Sequence, residues 1–218
     1  MVLLVPSNYR AVAFLELVIP AAVGGAYLYG RFATKKLRIS NSTISGNTAT
    51  NSEYGSGLLV GYPLVLSSST ITRNIETNPG HDVRGAGLFV YGYVAIEIES
   101  SIIGGNLLSG SFGTPSDLGG KIPTSPVTGA DNLISQSSLG VPSDTISGQQ
   151  PGLASLGNNG GPTATHMPLA DSPAIDAGNN VFNADNDQRG AGHPREINGR
   201  ADIGAVERND EIFADGFD

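Results

Sequence analysis

A glycine-led apolar run returns three times in the first half of this chain and constrains the fold more than any other feature. It reads Gly24-Gly25-Ala26-Tyr27-Leu28-Tyr29, Gly55-Ser56-Gly57-Leu58-Leu59-Val60 and Gly85-Ala86-Gly87-Leu88-Phe89-Val90. Gly24 to Gly55 is a step of 31 residues and Gly55 to Gly85 a step of 30. A second unit follows each run, as residues 37–47, 64–74 and 96–106. Leu37/Leu64/Ile96, Ile39/Leu66/Ile98, Ile44/Ile71/Ile103 and Asn47/Asn74/Asn106 align in it without a gap. Two short strands and two turns therefore recur once per period, and a period of this size marks a solenoid.

Helix fails as the alternative because Leu37-x-Ile39, Leu64-x-Leu66 and Ile96-x-Ile98 alternate with period two. The segments between them are rich in Gly, Ser, Thr and Asn, which favour turns and strands over helix. One repeat cannot bury its own apolar positions, so the core is made between repeats, with Ile39, Leu66 and Ile98 in one column. The expected fold is all-β, a parallel β-helix with successive coils about 4.8 Å apart. Asn47, Asn74 and Asn106 are expected at a sharp turn, since Asn tolerates left-handed backbone, with their amides bonded coil to coil as a ladder.

The composition narrows function by exclusion. No cysteine is present, which removes disulfides and thiolate metal sites. The net charge of −8 is concentrated at one end: residues 171–218 hold 11 acids and 4 arginines, against 9 acids and 8 bases in residues 1–170. A chain without a basic face does not suit DNA or RNA, so no nucleic-acid partner is expected. The apolar stretch 11–29 contains Glu16, Pro20 and Gly24-Gly25 and ends in the first repeat, so it reads as a partial coil, with a signal or membrane anchor as the alternative. On the coil reading the chain begins inside a solenoid. The expectation is then the C-terminal part of a longer protein, or a gene fragment begun at an internal Met without separate function.

Past Asn106 the period is lost, and residues 107–165 read as loops wrapped on the last coil, with one more partial strand beginning at Asp131-Asn132-Leu133-Ile134. Four motifs follow: Asn158-Asn159-Gly160-Gly161-Pro162-Thr163-Ala164-Thr165-His166, Ser172-Pro173-Ala174-Ile175-Asp176-Ala177-Gly178, Asp187-Gln188-Arg189-Gly190, and Ala201-Asp202-Ile203-Gly204-Ala205-Val206-Glu207. As an ordered set, and with the upstream Ile39-Ser40-Asn41-Ser42-Thr43-Ile44-Ser45-Gly46-Asn47, they resemble bacterial surface proteins that carry a right-handed parallel β-helix and a choice-of-anchor Q region, often labelled polymorphic outer-membrane-protein-like. The resemblance covers roughly residues 24–207. It implies a secreted or cell-surface adhesin-like module of the Gram-negative outer membrane, meeting glycans or cell surfaces, with no catalytic residues to carry over and no cofactor. The family's usual leader is not evident in this chain. The chain divides into an apolar lead-in at 1–23, coils at 24–106, a last partial coil with an irregular capping region at 107–207, and an acidic-aromatic tail at 208–218. Phe213 and Phe217 in that tail suit an outer-membrane anchoring or sorting partner, with a frayed terminus as the alternative.

Two other chemistries compete with this binding role. Asp185, Asp187 and Glu196 fall at the first, third and twelfth places of a calcium loop with Gly190 at the sixth, but Arg189 stands where the fifth oxygen ligand belongs. The competing structural account pairs Arg189, Arg195 and Arg200 with Asp176, Asp187, Asp202 or Glu207 to pin loops that bury little apolar surface. A calcium-dependent polysaccharide lyase needs acids on adjacent coils beside a base, whereas Glu97 and Glu99 share one strand with no acidic counterpart at Val65, Ser67, Arg38 or Ser40. His81, His166 and His193 have no Cys partner or Gly-x-Ser-x-Gly elbow, and Gly119-Gly120-Lys121 lacks the rest of a phosphate loop.

Overall fold

The computed structural model describes residues 25–29, 36–50, 54–77, 85–109, 113–121, 126–197 and 199–209. The lead-in 1–23, His81, Phe213 and Phe217 lie outside the described residues. Within the described residues the protein is all-β, without helices, and its parallel strands form stacked sheets compatible with a parallel β-helix.

Each repeat supplies four short strands, where two were expected. The first gives β1 (Ala26–Tyr29), β2 (Leu37–Ser40), β3 (Thr43–Ser45) and β4 (Thr48–Ala49). The second gives β5 (Leu58–Gly61), β6 (Leu64–Ser67), β7 (Thr70–Thr72) and β8 (Ile75–Glu76). The third gives β9 (Leu88–Tyr91), β10 (Ile96–Glu99), β11 (Ile102–Ile103) and β12 (Leu107–Leu108). After these come β13 (Thr114–Pro115), β14 (Leu118–Lys121), β15 (Leu133–Ile134) and β16 (Ile146–Ser147). Equivalent strands pair repeat to repeat in sheets ordered β1-β5-β9-β14, β10-β6-β2, β16-β15-β11-β7-β3 and β13-β12-β8-β4. The named pairs are parallel except β12 with β13. The repeat thus continues past Asn106 into β14 and β15, and Gly119-Gly120-Lys121, set aside as a phosphate loop, lies in β14 beside Phe89-Val90-Tyr91.

Pleating explains which residues enter the core. Leu64, Leu66, Ile96, Ile98, Leu58, Val60, Leu88, Val90, Ile71 and Ile103 share one buried cluster, as alternation in short strands requires. In β1 the structure corrects the sequence alignment by one residue: Ala26, not Tyr27, is opposite Leu58, a step of 32. One residue of slip exchanges the faces of a strand. Ala26 and Leu28 therefore pack on the core while Tyr27 is turned out.

The asparagine turn expectation also needs correction. The left-handed backbone lies one residue earlier, at Gly46 (φ 73°), Arg73 (φ 56°) and Gly105 (φ 75°). That frees Asn47, Asn74 and Asn106 to point inward, each 0% exposed. Asn47 Nδ2 donates to Asn74 Oδ1 at 2.8 Å, and Asn74 Nδ2 to Asn106 Oδ1 at 2.8 Å. Asn106 Nδ2 then donates to Asp117 Oδ1 at 2.8 Å, which makes an aspartate the last rung. The recurring glycines leave room for this ladder, since a Cβ on Gly87 would stand 2.6 Å from Asn106 Nδ2 and one on Gly57 2.9 Å from Asn74 Nδ2. A second ladder runs at the preceding corner, where the Ser69 and Ser101 hydroxyls accept from Ser42 N and Ser69 N at 3.2 Å and Asn132 Oδ1 accepts from Ser101 N at 3.0 Å.

Candidate functional site

The C-terminal region, expected as a cover over the last coil, instead lies along the side of the repeats. Its partners show this directly. Gly204 N donates to Ser100 O at 2.9 Å and Ala205 N to Thr70 Oγ1 at 3.1 Å. Thr43 Oγ1 donates to Gln188 Oε1 at 2.6 Å, and Asn41 Nδ2 to Asn186 O at 3.0 Å. One segment therefore bridges the first, second and third repeats on the outer face of the sheet that contains β3, β7 and β11. Outward-facing Thr43, Thr70, Ile102 and Leu133 are buried beneath it, and Ile102 and Leu133 join Ala174 and Ile203 in a second apolar cluster. We call this segment the strap.

The four motifs are the working parts of the strap. A Cβ on Gly161 would stand 2.6 Å from Arg189 Cα, and one on Gly178 would stand 2.6 Å from Asp202 O. Gly204 (φ 109°) sits against Ile102 and Thr70, 2.8 and 2.9 Å from where a Cβ would be. Asp187 holds Arg189 side-on, with Oδ2 to Nη2 2.7 Å, and also accepts from Glu207 N at 2.8 Å. Arg195 is 0% exposed; its Nη2 donates to Asp202 O, and the carboxylates of Glu207, Asp187 and Asp202 offset its charge. Arg200 donates to Gly178 O and lies 3.5 Å from Asp131.

Asp176, Asp202 and Glu207 bring their carboxylates within 4.8 Å of one another. Two of the three carboxylates, those of Asp202 and Glu207, already accept hydrogen bonds from the chain. Asp202 accepts from Asp176 N at 2.8 Å and Arg208 N at 2.7 Å; Glu207 accepts from Asp202 N at 2.8 Å and Ile197 N at 3.2 Å. With the Arg195 guanidinium buried beside them, the group serves to fold the strap. Burial raises the Asp202 carboxyl above its ordinary value and pushes Glu207 up to about 7. The calcium candidates are not brought together: Asp187 is spent on Arg189, Asp185 lines a groove, and Glu196 lines a separate hollow beside Asp131 and Arg200.

His166 and Ser45 form a pair at 2.7 Å that invites comparison with a hydrolytic dyad. His166 Nδ1 faces Ala154 O at 2.8 Å, so Nδ1 carries the proton and Nε2 accepts from the Ser45 hydroxyl. Both residues are 2% exposed, and burial lowers the imidazole pKa, keeping it neutral. The pair stitches the strap to β3. Glu97 is ion-paired with Lys36, and Glu99 accepts from Ala130 N at 3.0 Å.

Where the strap leaves the outer face of β2 and β6, it creates a groove of about 580 Å³. Arg38, Ser40 and Ser67 form one side; Asn180, Phe182 and Asp185 form the other. Arg38 Cζ lies 3.9 Å from the Phe182 ring centroid, a cation–π contact that fixes the mouth. Among the lining residues, Ser67 Oγ and Asn41 Oδ1 are buried without a hydrogen-bond partner in the chain. Sequence reading missed this groove because it depends on the strap crossing a distant strand. One signal was present: Ile102-Ile103 and Leu133-Ile134 are adjacent apolar pairs, which demand burial on both faces of their strands. Comparison of the chain with family models, curated proteins and solved structures gives no match in any of the three.

Proposed function

We propose that this chain is a section of a secreted, cell-surface right-handed parallel β-helix and that it binds a surface ligand without turning it over. The groove between the β2/β6 face and the strap carries this reading, because its volume is that of a ligand site and polar side chains converge in it. The acids best placed for lyase chemistry have other tasks, Glu97 with Lys36 and Glu99 with Ala130. The family resemblance supports the same reading, since the four motifs build the strap that forms the groove. A rod of stacked repeats with a side groove suits an adhesin-like module that presents its face to glycans or neighbouring cells. The test is retention of the purified chain on a broad glycan array and on whole cells, with a parallel assay for unsaturated sugar products with and without calcium. Retention without product is expected; calcium-dependent release of unsaturated product would replace the proposal with a lyase.

A further inference from the structure

We propose that the groove takes a neutral, hydroxyl-rich glycan, with one sugar hydroxyl held between Asn41 and Ser67 and a sugar ring against Phe182. This rests on the binding reading above and adds the ligand's chemistry. Asn41 Nδ2 donates to Asn186 O at 3.0 Å, which fixes its amide so that Oδ1 is an acceptor with no partner. Ser67, also in the lining, is 1% exposed, and its Oγ is likewise unpartnered. One group that both donates and accepts satisfies the pair, donating to Asn41 Oδ1 and accepting from the Ser67 hydroxyl. A sugar hydroxyl is such a group. Phe182 is 41% exposed beside the Arg38 contact, which leaves apolar ring surface for the C–H face of a pyranose.

Charge and backbone argue against other ligands. Arg38 is engaged over Phe182, and the lining contains one base, Arg38, and one acid, Asp185, so the groove has no net charge to attract an acidic glycan. An extended peptide adds along a strand edge, whereas the groove is lined by outward-facing side chains on the face of β2 and β6. Neither atom contacts solvent, so on this proposal the hydroxyl enters when the turn at 180–184 shifts outward while Asn186 O keeps its bond from Asn41 Nδ2. That turn is self-contained: Ala184 N donates to Asn180 Oδ1 at 2.8 Å, Asn180 Nδ2 to Ala184 O at 3.0 Å, and Asn183 N to Asn180 O at 3.0 Å.

The experiment is an amide-resolved NMR titration of the full chain with neutral hexasaccharides (cello-, xylo-, manno- and malto-), an acidic hexagalacturonate and an extended Ser/Asn decapeptide. A neutral sugar is expected to move the signals of Asn41, Ser67 and Asn183, and Ser67→Ala and Phe182→Ala are each expected to weaken it about tenfold, or about 1.4 kcal/mol. Phe182→Ala lies on an exposed turn, so unchanged thermal unfolding in that variant separates lost binding from lost fold. Binding of galacturonate or peptide alone would overturn the ligand class while leaving the groove as a site. Retention on the array with no shift at these residues would overturn the groove and leave the binding role. Silence in both assays would remove both.

Discussion

Asn74 is the middle rung of the asparagine ladder, and truncating it tests whether the ladder, beyond the apolar column, holds the repeats together. Its Oδ1 accepts from Asn47 N at 3.1 Å and Asn47 Nδ2 at 2.8 Å, and its Nδ2 donates to Asn106 Oδ1 at 2.8 Å and Ile44 O at 3.1 Å. In Asn74→Ala the buried Asn47 N–H loses this acceptor, at about 1–3 kcal/mol. Asn47 Nδ2 keeps Ser45 O at 3.4 Å, and Asn106 Oδ1 keeps Asn74 N at 3.1 Å, so those groups lose less. Adding the void left by the amide, the expected loss is about 3–4 kcal/mol. Asn47→Ala, at the outer end, leaves its own N–H on Asn74 Oδ1 and is expected to cost about 1–2 kcal/mol. Asn74→Asp keeps the shape but turns an oxygen toward the Ile44 and Asn106 oxygens, so its cost is expected to be largest at neutral pH and to shrink as the carboxyl protonates. Urea unfolding followed by far-UV circular dichroism, at pH 4 and pH 7.5 with m compared across variants, reads all three. Equal losses for Asn47→Ala and Asn74→Ala, or a pH-independent Asn74→Asp, would refute the ladder argument.

Other outcomes follow from the same geometry. Asp117 ends the ladder with Oδ1 accepting from Asn106 N and Nδ2, both at 2.8 Å, with Oδ2 buried and its pKa raised chiefly by burial. Asp117→Asn removes the buried charge but sets an amide N–H2 among backbone donors, so its cost relative to the parent is expected to be smaller at pH 7.5 than at pH 4, read from Tm at the two pH values. Glu207, held at about 7 against an ordinary 4.5, binds its proton more tightly folded than unfolded, so its contribution is fully present below pH 4.5 and lost as pH rises to about 7. Glu207→Gln is expected to flatten stability across that window while lowering it throughout, because the amide meets the Asp202 and Ile197 N–H donors. His166, whose pKa is lowered, acts in the opposite sense, and stability drops as pH falls below about 6.5 and the buried ring takes a proton. Gly204→Ala puts a Cβ 2.8 Å from Ile102 Cδ1 at φ 109°, and a loss of about 2 kcal/mol or more is expected by urea unfolding.

The parallel strands and the second unit's alignment were legible in sequence because the apolar positions alternate and recur together; the observed partners Leu37, Leu64 and Ile96 are those that the alignment places together. The first glycine-led run misled by one residue. Gly24-Gly25 offers two glycines to match, and either aligns with Gly55 or Gly57, so only pairing through Ala26 and Leu28 sets the register. The weak periodicity after Asn106 hid β14, whose Leu118 alone enters the main core while Gly119 and Gly120 bring no side chain. The four motifs were visible, but their task was not. Glycines at 161, 178 and 204 record close contacts with residues tens of positions away, and a linear sequence does not state which residues those are. The groove is the furthest from sequence, since its lining brings Asn41 and Ser67 together with strap residues more than a hundred positions later.

The strap's course along the side of the repeats underlies the roles assigned to the motifs and to the groove. Native-state hydrogen exchange of the intact chain, read by NMR or mass spectrometry at single-residue resolution, tests it most directly. The amides of Gly204 and Ala205, which donate to Ser100 O and Thr70 Oγ1, are expected to exchange as slowly as those of β7 and β11 and to be lost in the same opening event. Exchange of residues 172–207 at the rate of an unfolded chain, while β7 and β11 remain protected, would contradict the account.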